Sequence, residues 1–343
     1  MSDAGGMPRV RPREDRVPWA RRVRATIANQ QFVLLVVLVA LLVFFGSENS
    51  RFFTTAEFTN LIIDFCGLIL LAVAETYVII SGGIDLSVGS TVAISGVVGA
   101  FAMETLASHH VGEVAILLVG TVVCAGIGGA VGVLNAVLIT KANLVPFVAT
   151  LVTLSAGAGM ALVFSRGADV GSNPAAISWS ATGAWIFTWE SMIVIAITIV
   201  LSLVLHFTAY GRYNFAIGSN AFAARVAGID VRRHVASVYV VAGVLAGLTG
   251  MFFYIRLGAG APTSGIGDEL NAIAAVVIGG VSLVGGVGVM TGTILGAMIL
   301  TVVTDGLIFI NIQPTWNQVV VGAIIALAVV LQSLRPGRQG ASA

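Results

Sequence analysis

Charge is scarce in this chain: Asp, Glu, Lys and Arg make up 10% of 343 residues, against about 25% in an ordinary soluble domain. Lysine is scarcer still. Lys141 is the single example and Thr140 precedes it, so a G-x-x-x-x-G-K-[ST] phosphate loop is impossible. The two cysteines, Cys66 and Cys124, both lie in apolar runs, which excludes a disulfide framework or a cysteine-based metal site and leaves small buried thiols. The four histidines, His109, His110, His206 and His234, stand near run ends or in loops. No HExxH or GxSxG motif is present. Nothing here marks a catalytic residue, a metal centre or a nucleic-acid surface, and the chain alone does not hydrolyse ATP.

Apolar residues are abundant instead, at 57%, with a mean hydropathy of +1.01. A helical span needs about 20 residues. Ten apolar segments fit, at 32–45, 59–80, 88–106, 114–138, 146–165, 190–208, 235–257, 271–284, 289–309 and 317–333. The eighth is short for a full span and reads as a half-helix or re-entrant element. The first is a retained span, because Gly46-Ser47-Glu48-Asn49 offers no small-x-small cleavage site. The expectation is an all-α polytopic membrane protein: an Arg-rich tail at 1–30, a membrane-spanning domain at 31–334 and a short tail at 335–343.

The basic residues test this count. With both termini inside, the inner segments hold Arg9, Arg11, Arg13, Arg16, Arg21, Arg22, Arg24, Lys141, Arg212, Arg225, Arg232, Arg233, Arg335 and Arg338. The outer segments hold only Arg51, Arg166 and Arg256. This is the positive-inside bias, and an odd error in the count would invert it. Trp179, Trp185 and Trp189 in the outer loop 166–189 read as interfacial anchors or, alternatively, as a docking surface for a partner.

Four features are candidates for function. In the inner loop 209–234, Asn220 can cap a short helix through Ala227, with Gly228 at its C′ position. That helix is either a surface connector or a rigid knob for a soluble partner. Gly285, Gly286, Gly288, Gly292 and Gly296 form a ladder in which the last three share one helix face, a packing signal. Asp64, Glu75, Asp85 and Asp305 fall at membrane depth, where a bare charge costs about 2.5–3.5 kcal/mol; they face the interior or line a pathway. Lastly, Gly82-Gly83-Ile84-Asp85-Leu86-Ser87-Val88-Gly89 faintly echoes Gly279-Gly280-Val281-Ser282-Leu283-Val284-Gly285-Gly286.

Taken together, several segments resemble bacterial carbohydrate-import ABC permeases of the ribose, xylose and galactofuranose branch. They are Ser81 to Ser90 with its glycine–isoleucine–aspartate–leucine–serine core, Pro146 to Leu151, the loop Gly211 to Asp230, and Gly265-Ile266-Gly267-Asp268-Glu269-Leu270-Asn271 continuing to Gly288. The resemblance covers about residues 60–333. Two positions depart from it: Phe222 stands where many such permeases carry an acid, and Asn271 replaces a frequent aspartate.

The resemblance implies a ten-helix fold similar to vitamin B12-type importers in a bacterial inner membrane. It implies pairing with a second permease copy or homologue, two cytoplasmic ABC ATPase subunits that use ATP and Mg, and a periplasmic or lipid-tethered sugar-binding protein. This chain would bind no cofactor. It makes Arg212, Asn220, Phe222, Ala223, Ala224, Arg225, Gly228, Asp230, Arg232 and Arg233 the ATPase-coupling element. A weakly adhesive sugar passage would suit Asn135, Thr150 and Thr153 beside the four acids. The rival is an ion-coupled secondary transporter using those same carboxylates; an embedded enzyme or a passive channel has less behind it.

Overall fold

The computed structural model describes residues 19–109, 111–171 and 182–333, with only the backbone described for 19–29, 314, 317, 325, 327–329 and 331–333. Arg9, Arg11, Arg13 and Arg16 of the tail, His110, Trp179 and the 335–343 tail lie outside the described residues. The helices are α1 (Trp19–Glu48), α2 (Thr55–Ile80), α3 (Val88–Ser108), α4 (Glu113–Thr140) and α5 (Pro146–Ser165), then α6 (Trp189–Phe207), α7 (Ala209–Ser219), α8 (Ala221–Val226), α9 (Val231–Leu257), α10 (Asp268–Ile278), α11 (Met290–Phe309) and α12 (Asn317–Ser333). A two-residue hairpin, β1 (Gly183–Ala184) with β2 (Phe187–Thr188), precedes α6. The architecture is that of an all-α polytopic membrane protein.

Among the described residues, eight helices carry stretches long and apolar enough to cross a bilayer. Helices α2 and α9 are the most enclosed, α3 and α11 less so, while α1, α4, α5 and α6 turn most of their apolar side chains outward. That is how lipid-facing helices wrap an inner pair. Helix α2 starts cleanly because Thr54 accepts a hydrogen bond from the backbone N–H of Glu57 (3.4 Å), the first half of a Thr-x-x-Glu capping box.

The closest helix contact is between α4 and α9, and glycine makes it possible. Gly128 and Gly132 on α4 oppose Gly243 and Gly247 on α9, so closely that a Cβ added to Gly128 would lie 2.7 Å from the Gly247 Cα. These two G-x-x-x-G pairs are the backbone-to-backbone seam of the fold. The ladder expected further along needs correction. Gly292 and Gly296 lie on α11 and abut Gly279 and Ala275 at the end of α10. Gly285 and Gly288 instead belong to the loop before α11, and Gly285 has φ +90°, a conformation no helix contains.

The segment expected at 271–284 is also displaced. Helix α10 has 11 residues, a length of about 16 Å at 1.5 Å per residue, or half a bilayer core. Gly279 and Gly280 stop it, the latter with φ +87°. Its starting depth follows from the turn-rich segment before it. Gly260 packs on Gly96 and Ala100 of α3, and Gly265 packs on Gly89 and Val92, so residues 258–267 dive along α3 before α10 begins. The loop at 81–87 dives from the opposite end: the Asp85 N–H meets Glu75 Oε2 at 3.5 Å, a turn and a half back inside α2.

Candidate functional site

At the end of the bundle that carries Lys141 and Arg212 to Arg233, α7 is locked into the core and α8 projects from it. Asn214 is fully buried. Its Nδ2 donates to the Tyr77 carbonyl of α2 (2.8 Å), and its Oδ1 faces His234 Nε2 (3.3 Å). The Tyr210 ring stands 4.6 Å from the His234 ring, and its hydroxyl is 3.0 Å from Ser237 Oγ. The short helix α8 is capped at both ends as the sequence suggested. Asn220 Oδ1 accepts from the Ala223 N–H (2.9 Å). Gly228, at φ +86°, lets the Gly228 and Ile229 N–H groups return to the Arg225 and Ala224 carbonyls, a Schellman stop.

Ala224 is buried between Ile217 and Val231, while Ala223 faces outward. Asp230 caps α9 through the Arg233 N–H (3.1 Å) and pairs with Arg233 Nε (3.1 Å), an exposed pair of little energetic weight. Phe222 and Val226, one turn apart, are 74% and 76% exposed, with exposed Arg212, Arg225 and Arg232 around them. The result is a stiff knob with an apolar tip and a basic collar. At Phe222, where the resembling permeases carry an acid, the chain presents an aromatic pin.

The knob is seated on a junction of glycines. The Gly286 N–H donates to the Ile80 carbonyl at the end of α2 (2.9 Å), and Ser219 Oγ reaches the Gly286 carbonyl (3.5 Å). Gly218 sits directly on Ile80 and Gly286, and a Cβ on Gly285 would lie 3.0 Å from the Gly82 Cα. The two segments that echo each other in sequence therefore touch, and the last turn of α7 closes the triangle.

Beyond Gly82 the chain enters a buried polar network. Asp85 Oδ1 accepts from the Ser87 N–H (2.9 Å) and Ser87 Oγ (2.6 Å). Asn135 Nδ2 of α4 donates to Ser87 Oγ (2.8 Å), and Thr153 Oγ1 of α5 donates to Asn135 Oδ1 (2.7 Å). Thr150 Oγ1 donates to the Ile84 carbonyl (3.3 Å). Glu75 is fully buried beside this chain, and its Oε1 has no hydrogen-bonding partner. Glu269 fills the space that Gly89 leaves on α3.

Five of the seven residues expected along a passage thus meet, but as a sealed brace across α2, α3, α4 and α5: Glu75, Asp85, Asn135, Thr150 and Thr153 are all buried. The physical reason is that Thr150 and Thr153, three residues apart on α5, point at the 81–87 loop and at α4, where hydrogen bonds are on offer. Leucine at Asn135 takes one partner from Ser87 Oγ, which keeps Asp85, and one from Thr153 Oγ1, which keeps the Ala149 and Thr150 carbonyls; each lost bond costs about 0.5–1.5 kcal/mol. The expected result for Asn135→Leu is a lower unfolding midpoint in detergent, read by intrinsic fluorescence, with an unchanged midpoint for Thr105→Ala on the exposed face of α3.

The remaining two acids, Asp64 and Asp305, line a cavity of about 300 Å³ toward the opposite end of the bundle, with Arg256, Asp268, Asn271 and Gln318. Asp64 and Arg256 form an ion pair there. Asp268 accepts from Asn271 Nδ2 (3.0 Å) in the first turn of α10, where a carboxylate suits the helix dipole. This is a polar, half-open chamber with planar amide, carboxylate and guanidinium groups. Sequence reasoning did not single out Arg256, Gln318 or Asn214 for a site. Arg256 was legible only as a cation at the end of an apolar run; Asn214 carried no such signal.

A family model described as branched-chain amino acid transport system / permease component matches residues 57–329. The ribose import permease protein of Escherichia coli (strain K12) is 33% identical over 304 residues, covering 87% of this chain and 92% of that protein. The galactose/methyl galactoside import permease protein of the same strain is 32% identical over 324 residues, covering 90% and 94%. A probable ABC transporter permease protein of Sinorhizobium fredii is 33% identical over 344 residues, covering 99% and 98%.

Proposed function

The chain belongs to the family of transport-system permease components matched over residues 57–329, and from that premise we propose that it is the membrane-spanning subunit of an ABC importer for a simple sugar. The sugar assignment is supported by relatives named for ribose and for galactose. In this reading the basic end is cytoplasmic, both termini lie there, and a second copy or a homologue completes the gate. ATP and Mg act in a partner ATPase, and a sugar-binding protein delivers cargo at the cavity end.

The observation that carries the reading is the knob: α8 is capped at both ends, tipped by Phe222 and Val226, and wired through α7 into α2. A connector lying on a membrane needs none of this rigidity. Coupling is mechanical here, and the ATPase moves α8 while Gly286 and Asn214 carry the displacement to the inner helices. Gly228→Pro removes the N–H that closes α8 and forces a φ of about −65° on a position at +86°. The expected result is loss of ATPase co-purification, as for Arg225→Glu; retention of both binding and transport would remove the coupling assignment.

The decisive experiment reconstitutes the chain in liposomes with and without an ATPase and sugar-binding protein from the same gene cluster. Uptake of labelled ribose or galactose appears only with all three and ATP. Three carboxylates in one cavity, Asp64, Asp268 and Asp305, favour a second reading as an ion-coupled transporter. Uphill uptake by the chain alone after a pH or sodium step would establish that reading and overturn the first.

A further inference from the structure

A second binding site lies beside the knob. A groove of about 600 Å³ opens between the last turn of α4 and the start of α9, lined by Ile139, Thr140, Asn143, Arg225, Ile229 and Arg232 among others. We propose that it holds the phosphate headgroup of an anionic phospholipid from the leaflet at the basic end.

The chemistry of the lining points there. Arg225 and Arg232 are exposed, and neither forms an ion pair among the described residues. The one acid of the lining, Asp230, is already engaged by the Arg233 N–H and Nε, so the groove presents two free guanidinium groups. Thr140 and Asn143 add polar groups beside them, Asn143 being held at φ +55° where its short side chain is tolerated. The floor is apolar, through Ile139 and Ile229. A free anion gains nothing from such a floor, whereas a lipid does.

Position supplies the rest. The groove sits at the end of a lipid-facing helix: Val133 and Val137 of α4 are exposed, and Val137 lies one turn before Thr140, on the same face. Acyl chains can follow that face while the headgroup rests against Arg225 and Arg232. Basic pockets at the cytoplasmic ends of membrane helices bind anionic headgroups in this manner. Occupancy would wedge the back of α8 and set the stiffness of the coupling knob. The leaflet assignment rests on the orientation given under the proposed function, but binding by purified protein does not.

The test reconstitutes the full chain in nanodiscs of equimolar phosphatidylglycerol and phosphatidylcholine, releases it into detergent, and counts retained lipids by native mass spectrometry. The expected result is selective retention of phosphatidylglycerol. Each arginine contributes about fivefold, so Arg225→Gln with Arg232→Gln lowers retention about twenty-five-fold. Asn143→Asp places a negative charge in the groove without disturbing its left-handed backbone, and lowers retention as well; a monodisperse elution profile confirms that it is folded.

Equal retention of both lipids, or undiminished phosphatidylglycerol in the double variant, overturns the proposal. So does complete displacement by inorganic phosphate, which would mark a free-anion site. A double variant that keeps its lipid but loses the ATPase would assign the groove to a protein contact instead. None of these outcomes depends on sugar uptake, so failure here is distinguishable from failure of the importer reading.

Discussion

If the chain works as the proposed importer subunit, valine at Gly286 uncouples ATP hydrolysis from transport while leaving the complex assembled. Gly286 has φ +72°, a region that costs an L-residue about 1–2 kcal/mol and a β-branched one more. Its Cβ would also stand 2.7 Å from the Ser219 N, and backbone cannot rotate away as a side chain can. Either the 279–289 loop withdraws and gives up the bond from the Gly286 N–H to the Ile80 carbonyl, or the end of α7 lifts with the knob. Both break the junction between the coupling segment and α2. The apolar tip at Phe222 and Val226 is untouched, so the ATPase still docks and turns over.

Substitutions along a coupling route shift it by up to about 2 kcal/mol, roughly thirtyfold. Sugar uptake per ATP hydrolysed in proteoliposomes should fall by about that factor. Gly286→Ala should give a smaller loss of the same kind. Gly112→Ala is the control: its φ is −63°, and a Cβ there meets nothing within 4 Å. Full transport per ATP in Gly286→Val would show that the knob does not act through this junction.

The elements that could be read from the sequence are those written in local physics. Span positions follow from apolar runs, and the caps of α8 follow from Asn220 and Gly228, whose preferences are set within four residues. The short eighth segment was visible as too few apolar residues, but its register was not. The start of α10 is fixed by the descent of residues 258–267 along the α3 glycines, a contact across about 170 positions.

The candidate passage was harder for the same reason. Asp85, Asn135 and Thr153 are polar residues in apolar runs, and sequence shows that each must find a partner without showing that they find one another. Arg256 and Asp64 likewise read as separate charges until α2 and α9 are side by side. Glycine was the least legible signal of all. With 41 in the chain, regular spacing occurs often, and the ladder ending at Gly296 looked as good as the pairs at 128/132 and 243/247.

The α4–α9 seam carries the largest expected effect on stability. Gly247 faces the Cys124 carbonyl and the Gly128 Cα, and Gly243 faces the Gly128 carbonyl and the Gly132 Cα, so each helix is cut to fit the other's backbone. A leucine at 247 has no rotamer that avoids the opposing helix, because its Cβ itself would lie 3.1 Å from the Gly128 Cα. The helices must separate along their whole contact, which opens the packing of Tyr239 and Val238 in the core of the bundle. Overpacking costs about 3 kcal/mol at the upper end of its usual range, and for a chain of this length the midpoint of thermal unfolding should drop by about 4 °C.

The same seam separates stability from coupling. Gly129, one position beside Gly128, would place a Cβ 3.3 Å from a Val244 methyl group, a contact that a side chain can relieve. Gly129→Ala should therefore leave the midpoint within about 2 °C of the unsubstituted protein, since single surface or yielding positions cost about 0.5 kcal/mol. Gly247→Leu with an unchanged midpoint would mean that α4 and α9 are not in backbone contact, and the seating of α4 on the inner helix α9 would have to be redrawn.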